Sequence, residues 1–386
     1  MIQEATTNTN NNEAVYDVVI VGGGPAGLST ALALCRYSKL SVALVEATTF
    51  DNFRPGEHVS GAMLPFLEYL GVREDSFDQC HLGVYSSYAA WGNSNLVARE
   101  SLLSHYGKTY QLDRTHFDSH LVRLLADAGA TVLPRTRCKD CLPTSDGRWK
   151  VILNHAEWGQ FSLNCRYFVD GTGRKSLTSR KQQVEQKCYD RLVGVGALLS
   201  FDEDQPLSQD ILLETVPEGW WYSAAIPNQR MVAVLFTDAD IASKLKANST
   251  DVWPRLLSAT QYTRKRLSEG IADEKPWIRN AFSHIVKGDE LENWSLVGDA
   301  AVGFDPISSM GIGFAISSGC NLARSIQHYL ENADNCLLKS YREDLERMFY
   351  DYLQQRDHYY GLEKRWCDHP FWQRRTVESR SLALTH

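Results

Sequence analysis

The stretch Tyr16-Asp17-Val18-Val19-Ile20-Val21-Gly22-Gly23-Gly24-Pro25-Ala26-Gly27-Leu28 constrains the fold of this chain more than any other. The apolar run Val18 to Val21 reads as a central parallel strand buried on both faces, and Gly22, Gly24 and Gly27 stand at the G-x-G-x-x-G positions. There they allow a tight turn, close approach of a pyrophosphate, and close packing of helix on strand. Pro25 and Ala26 open a helix expected to reach about Tyr37, whose free N–H groups and dipole favour an anion. The next strand, Ser41 to Val45, ends in Glu46, nineteen residues after Gly27, where an acid is needed for a ribose hydroxyl. Strand, glycines, helix, strand and acid in that order point to a dinucleotide site.

The chain of 386 residues, 43% of them apolar, has room for about two domains. Its net charge of −7 and pI near 5.9 argue against a general nucleic-acid binder, which needs a basic face to neutralise phosphates. No apolar run approaches the roughly 18 residues that cross a bilayer. Residues 1–14 are polar and Asn-rich and read as a disordered tail, so a cytoplasmic protein with neither nucleic-acid nor membrane partners is expected. The nine cysteines show no disulfide rhythm, and those within apparent strands or helices, such as Cys35, Cys165 and Cys320, read as buried thiols. Cys138 and Cys141 form a C-x-x-C without a second pair or a His cluster, so no metal site is expected.

The fold class that follows is α/β: a Rossmann-like dinucleotide domain, interrupted by a mostly antiparallel sheet, with a helical C-terminal segment. The first domain takes residues 15–188 and 288–335, with a small meander near 134–165; the inserted sheet takes 189–287, and a helix and aromatic-basic tail take 336–386. After Glu46 comes the loop Arg54-Pro55-Gly56-Glu57-His58, then a helix from about Ala62 to Leu70. Loops at the carboxyl ends of parallel strands line the ligand crevice, so Arg54, Glu57 and His58 are candidate contacts. Thr115 is a candidate cap for the helix that carries Leu121, Leu124 and Leu125. Arg166 to Gly173 repeats the strand-to-glycine pattern, but the polar Lys175 to Gln183 follows where an amphipathic helix would be needed.

Strands are expected at Leu192 to Phe201, Ile211 to Val216, Trp221 to Ile226 and Met231 to Thr237, and a helix around Val252 to Glu269. The dinucleotide domain resumes with the strand Trp294 to Val297. Gly298-Asp299-Ala300-Ala301 follows, and Asp305 to Phe314 opens a helix running to about Leu330. An acid just past a strand end can bind a polyol hydroxyl, and a glycine-opened helix aimed at a ring can stabilise negative charge on it. A last helix spans about Cys336 to Leu362, and the tail from Tyr359 to Arg375 is rich in Trp and Arg, residues typical of interface anchors.

A nicotinamide dehydrogenase would complete its second nucleotide-binding half soon after Glu46, whereas this domain pauses and returns near Gly298. Gly22 to Gly27 with Glu46, Asp113-Arg114 with Phe117-Asp118, Asp170-Gly171, and Gly298-Asp299 with Pro306, Gly311 and Gly313 resemble the successive motifs of para-hydroxybenzoate-hydroxylase-like flavoproteins. The resemblance implies FAD, with its adenosine end at Gly22 to Glu46. Beside Arg54 of the loop, it implies Arg114, Asp170 and Gly171 as further contacts, Asp299 at the ribityl chain, and Gly311, Ile312 and Gly313 at the flavin ring. The family's usual His after Gly-Asp-Ala-Ala is Val302 here.

Flavin-dependent halogenases of the same superfamily carry Trp-x-Trp-x-Ile-Pro. Here Ile226-Pro227 match, Tyr222 and Ala224 hold the tryptophan positions, and the halide-handling lysine has no counterpart near Tyr85 to Trp91. The Arg54-Pro55-Gly56-Glu57 loop, the Trp220-Trp221-Tyr222 strand and the tail resemble another branch, the LodB/GoxB-type flavoprotein maturases that help install cysteine tryptophylquinone in amino-acid oxidases. That resemblance implies an FAD-dependent monooxygenase that hydroxylates a tryptophan in a quinoprotein oxidase precursor, with an external flavin reductant among its partners. Trp220, Trp221 and Tyr222 would lie on the substrate side, and Glu57 and His58 are the catalytic candidates, neither assigned as acid or base. Two alternatives stand beside it: a hydroxylase (or halogenase) of small aromatics, and a flavoprotein scaffold that holds the precursor without chemistry.

Overall fold

The computed structural model describes residues 15–51, 53–100, 109–287 and 291–375, so the expected tail at 1–14 and residues 376–386 lie outside the described residues. Five parallel strands form its first sheet: in spatial order Thr131–Leu133, Val42–Val45, Val15–Val21, the second half of Gly159–Asp170, and Trp294–Leu296. Numbered along the chain this is the order 3-2-1-4-5 of a doubly wound sheet. Val18, Val19 and Ile20 are wholly buried, as a strand covered on both faces requires. The order reverses between Val15–Val21 and Gly159–Asp170, and ligands of such sheets sit at that switch point. Gly22 turns there with φ +110°, and a Cβ on it would lie 2.3 Å from the Gly171 carbonyl oxygen.

The expected strand at Arg166 is the end of a longer one. Gly159–Asp170 pairs antiparallel with Trp149–His155 through its first half and parallel with Val15–Val21 through its second. Its burial changes from alternating to continuous at Tyr167, so the first half shares the pattern of the meander and only the second half reads as a central strand. The meander strands Thr136–Pro143 and Trp149–His155 thereby extend the same sheet.

The opening helix, Pro25–Tyr37, packs against the helix Gly311–Asn332. The crossing is close: a Cβ on Gly319 would lie 2.7 Å from the Ala26 carbonyl oxygen. The helix after Asp113 runs Arg114–Asp127, and its cap is Asp113, whose carboxylate accepts the His116 N–H at 2.9 Å. Thr115 lies inside the first turn, which corrects the expectation that it caps.

The second large sheet has the order Ile271–Ala272, Leu192–Ser200, Arg230–Asp238, Gly219–Ile226, Ile211–Val216, Ser86–Ala90, Val97–Glu100. Its central strands are those the alternation predicts, while Ser86–Ala90 joins from an earlier segment, parallel to Ile211–Val216. The single helix expected near Val252 to Glu269 is instead two, Val252–Ser258 and Thr263–Arg266. Glu214 of the sheet explains the break, since its carboxylate accepts the N–H groups of Gln261, Tyr262 and Thr263 at 2.5, 3.0 and 2.8 Å. A long-range acceptor for three backbone donors outweighs local helix propensity.

The closing helix is Cys336–Leu362, and the described part of the tail folds back onto the second sheet. Arg375 reaches Asp238 at 2.9 Å, Arg374 reaches Asp238 at 2.8 Å, Trp372 Nε1 donates to the Val216 carbonyl, and Phe371 is wholly buried. The aromatic and basic residues expected to face a partner are therefore largely spent within the chain. All nine cysteines are free. Of the thiols expected to be buried, Cys165 and Cys320 are and Cys35 is only half-buried; Cys141 is buried too, whereas Cys188, Cys336 and Cys367 are exposed, so the expectation does not extend to all nine. Among the described residues no helix is long and apolar enough to cross a membrane.

Candidate active site

The glycines of the opening motif divide by what surrounds them. A Cβ on Gly27 would lie 2.0 Å from the Gly22 carbonyl oxygen, and one on Gly23 would strike Phe50, whereas one on Gly24 meets nothing within 4 Å. Gly22 and Gly27 are thus required by the chain's own packing, and Gly24 faces open space where the helix Pro25–Tyr37 begins with no side-chain cap. Free first-turn N–H groups beside open space suit a phosphate.

Glu46 ends its strand almost buried. It accepts the N–H groups of Gly23 at 2.7 Å and Thr48 at 2.9 Å, and pairs with Arg54 at 3.1 Å. Arg54 also bonds the Gly23 carbonyl at 3.0 Å and Asp118 at 3.3 Å. Arg114 contacts both Asp118 oxygens, at 3.2 and 3.0 Å, and the carbonyls of Pro55 and Gly56. The alternating charges Glu46, Arg54, Asp118 and Arg114 thereby tie the loop carrying Gly56, Glu57 and His58 to the opening turn. Asp118, quoted above only as a motif residue and given no contact, is what links the two arginines; its signal is the spacing of four from Arg114, which puts both on one helix face.

At the other end, Asp170 holds its own loop, accepting N–H groups from Thr172 at 2.9 Å and Thr178 at 2.7 Å, while the Gly171 N–H donates to the Val21 carbonyl at 2.8 Å. Asp299 pairs through Oδ2 with Arg174 Nε at 3.2 Å, and its Oδ1 is buried without a partner. Arg174, also unanticipated, is fixed by the carbonyls of Phe282 and Phe304. Pro306 opens the short turn Pro306–Ser308, which Asp305 caps by accepting the Ile307 N–H at 3.0 Å. Helix Gly311–Asn332 then starts without a side-chain cap, and a Cβ on Gly311 or on Gly313 would meet nothing within 4 Å. Ile312 between them points into the core. Two open helix starts, an acid at each strand end and an unpartnered Asp299 oxygen make a donor and acceptor set that FAD fits.

The loop of Glu57 and His58 meets the second sheet at a seam. His58 pairs in register with Gln111, and the Leu112 N–H donates to the Glu57 carbonyl at 2.9 Å, so local strand pairing fixes the loop. Gln111 Nε2 lies 3.1 Å from the Tyr222 hydroxyl and 3.4 Å from His58 Nδ1. Glu57 is 4% exposed, and its Oε1 has no hydrogen-bond partner. Burial pushes its carboxyl up to about 7, against the pull of Arg114 and of the amides of Gly56 and Glu57. Burial pushes His58 down to about 4, so its imidazole is neutral at physiological pH. The Tyr222 hydroxyl is pushed well up by burial and by Glu57, and stays protonated.

Of the three aromatics expected on the substrate side, Tyr222 reaches this seam. Trp220 and Trp221 are 1% exposed: Trp220 stacks on Phe236 and donates to the Tyr360 hydroxyl at 3.0 Å, and Trp221 packs against Trp253. Both are packing residues. Among the described residues one trio has metal-ligand spacing, His328, Asp334 and Cys336, at the surface. Its local bonds account for it, because Asp334 accepts the Cys336 N–H and pairs with His328.

The FAD binding domain family model matches residues 15–355 of this chain. The chain is 36% identical over 374 residues, 96% of its length and 99% of the relative's, to LodB of Marinomonas mediterranea, named as a candidate FAD-dependent oxidoreductase. Among solved structures, the myxobacterial chondrochloren halogenase CndH, 21% identical, superposes with a TM-score of 0.85 over 96% of this chain and 88% of its own. QhpG, a peptidyl tryptophan dihydroxylase essential for tryptophylquinone cofactor biogenesis, is 22% identical and superposes with a TM-score of 0.67 over 94% of this chain and 79% of its own. The last two establish likeness of fold.

Proposed function

This chain belongs to the FAD binding domain family of FAD-dependent oxidoreductases, and from that premise we propose that it is a monooxygenase-type maturase that hydroxylates a tryptophan of a precursor protein on the way to a tryptophylquinone cofactor. The observation that carries the reading is the near end-to-end likeness to LodB, 96% of one chain on 99% of the other, which leaves little room for a different architecture. The fold shared with QhpG supports a peptidyl tryptophan as substrate and a quinoprotein amino-acid oxidase precursor as partner. The expected cytoplasmic location belongs to the same proposal.

Gly24, Pro25, Ala26 and the first-turn N–H groups would hold the pyrophosphate, and Glu46 with Arg54 the adenosine end. Asp299 would bind the ribityl chain through its unpartnered oxygen, with Arg174 fixing its orientation. The start of helix Gly311–Asn332 would face the ring and favour negative charge on it. When bound, FAD supplies the redox chemistry: with two electrons from an external reductant it activates dioxygen, one oxygen atom of which enters the aromatic ring while the other leaves as water. The chain's own residues exclude bulk water at the seam, where Glu57 and Gln111 are buried, and hold the ring of the substrate against the sheet at Tyr222. Halogenation is disfavoured, since the paired tryptophans of that chemistry are Tyr222 and Ala224 here.

The test is the intact and peptide mass of an oxidase precursor co-expressed with this protein or with its Gly24→Val variant. The expected result is oxygen added to one tryptophan, only with the functional flavin site. An unmodified precursor beside a folded, flavin-loaded protein sinks the proposal in favour of a small aromatic substrate. Full maturation by the variant would leave only a scaffold.

A further inference from the structure

We propose that Glu57 is the acceptor for the ring N–H of an indole-type substrate, and that this contact selects N–H heteroaromatics over rings that lack the donor. The proposal rests on the reading above that an aromatic ring is bound at the seam. Its starting point is the Glu57 Oε1 atom, buried and without a hydrogen-bond partner. Folded proteins seldom leave such an acceptor unused, because it has lost its water and gained nothing in return.

The neighbouring donors are already committed. Arg114 spends Nε and Nη2 on Asp118 and Nη1 on the carbonyls of Pro55 and Gly56. The Gln111 amide is spent on Tyr222 and His58, and the Tyr222 hydroxyl faces that same amide. None can turn to Glu57 without abandoning a bond it holds. The amides of Gly56 and Glu57 act on the same carboxyl but leave Oε1 unpartnered, and with the side-chain donors spent a bound molecule can supply the missing one.

Position and chemistry narrow its class. Glu57 follows Gly56, where a Cβ would lie 4.0 Å from Ile312 Cδ1, so its loop passes beside the first turn of helix Gly311–Asn332. Tyr222 of the second sheet is close enough to Glu57 for the carboxylate to help keep its hydroxyl protonated. A planar ring entering between loop and sheet would meet the Tyr222 side chain and the Glu57 oxygen together. Indole N–H is a donor with no acceptor function, so a carboxylate satisfies it and is satisfied by it.

The test measures binding to the FAD-loaded protein through perturbation of the bound-flavin absorption. The probes are N-acetyl-tryptophan amide and its 1-methyl analogue, which lacks the N–H. The wild type should prefer the N–H probe by about tenfold or more, the range of a charge-assisted hydrogen bond. In Glu57→Ala the preference should fall to about twofold or less, and in Glu57→Gln, which keeps a neutral acceptor and secures the test if the alanine variant folds poorly, to an intermediate value. Both probes binding with the same preference in wild type and variants would overturn the role of Glu57 alone. Neither probe binding the wild type up to its solubility limit would overturn the aromatic-site reading and this proposal with it. Weakened FAD binding in the variants with unchanged probe preference would assign the Glu57 oxygen to the cofactor and overturn the proposal.

Discussion

The proposed cofactor cradle and the proposed substrate seam are built in opposite ways. In the cradle the chain presents backbone to its ligand, and residue identity follows from space: Gly22 and Gly27 are crowded by their own chain, while Gly24, Gly311 and Gly313 border emptiness. In the seam, side chains from distant segments meet, Gln111 with Tyr222 across 111 residues and with His58 across 53. A backbone site needs few positions at short spacing. A side-chain site needs the whole topology first, and the charges it gathers are set by burial rather than by sequence neighbours.

The largest effect should separate the two kinds of glycine within one motif. Gly27→Val places a side chain where even a Cβ would lie 2.0 Å from the Gly22 carbonyl oxygen, so the variant should fail to accumulate as folded protein. Gly24→Val adds bulk only to open space, and it should fold with wild-type circular dichroism while losing about a hundredfold or more in FAD affinity, roughly 3 kcal/mol. Equal folding defects in the two would collapse the distinction between structural and ligand-facing glycines.

The tail supplies the next contrast, because its aromatics resemble docking residues in sequence and act as core in the structure. Phe371 is wholly buried, with the Arg375 guanidinium 3.6 Å from its ring centroid. Phe371→Ala should cost about 3–5 kcal/mol of unfolding free energy in urea. FAD affinity should be unchanged, since the cradle lies in other elements. Near-wild-type stability, with lost affinity for the precursor, would restore the tail as a docking surface.

How much could be read in advance follows the same division. The opening strand, glycines, helix and Glu46, the return at Gly298-Asp299 and the open helix at Gly311 are all local patterns, and each lies where the spacing puts it. Arg174 was visible only as a basic residue four positions after Asp170; what makes it matter is the Asp299 carboxylate, which arrives 125 residues later. The helix break before Thr263 depends on Glu214 in a strand, and the burial of Trp220 and Trp221 on the partners each face finds. Neither is encoded in the periodicity of its own segment.

The seam also makes a pH signature that the cradle does not. The Glu57 carboxyl is raised from 4.5 to about 7, so the folded chain binds that proton more tightly than the unfolded one, and stability falls as pH rises through this window. The shift amounts to about 3 kcal/mol, complete above pH 7. Asp305, raised to about 6 by burial and by the charge of Asp190, adds to the fall. Burial lowers His58, His81 and His284 to about 4, which opposes it below pH 6.5 by favouring the folded state as pH rises. Unfolding free energies of FAD-free wild type and Glu57→Gln should therefore diverge between pH 4.5 and 7, with the variant gaining. A constant difference across that range would mean that Glu57 titrates normally.

The smallest effect should come from Glu46→Gln, and it tests whether the acid at the strand end serves the ligand or the loop. In the structure Glu46 already accepts Gly23 and Thr48 N–H groups and pairs with Arg54, whose side chain is 22% exposed, so solvent discounts the ion pair. Glutamine keeps one acceptor oxygen, and the expected loss of stability is about 1 kcal/mol. If Glu46 also binds a ribose hydroxyl, FAD affinity should fall by a further several-fold, while affinity for FMN, which lacks the adenosine half, stays as it was. Equal losses for FAD and FMN would show that Glu46 only braces the Arg54 loop, and the ribose contact would have to be sought elsewhere in the cradle.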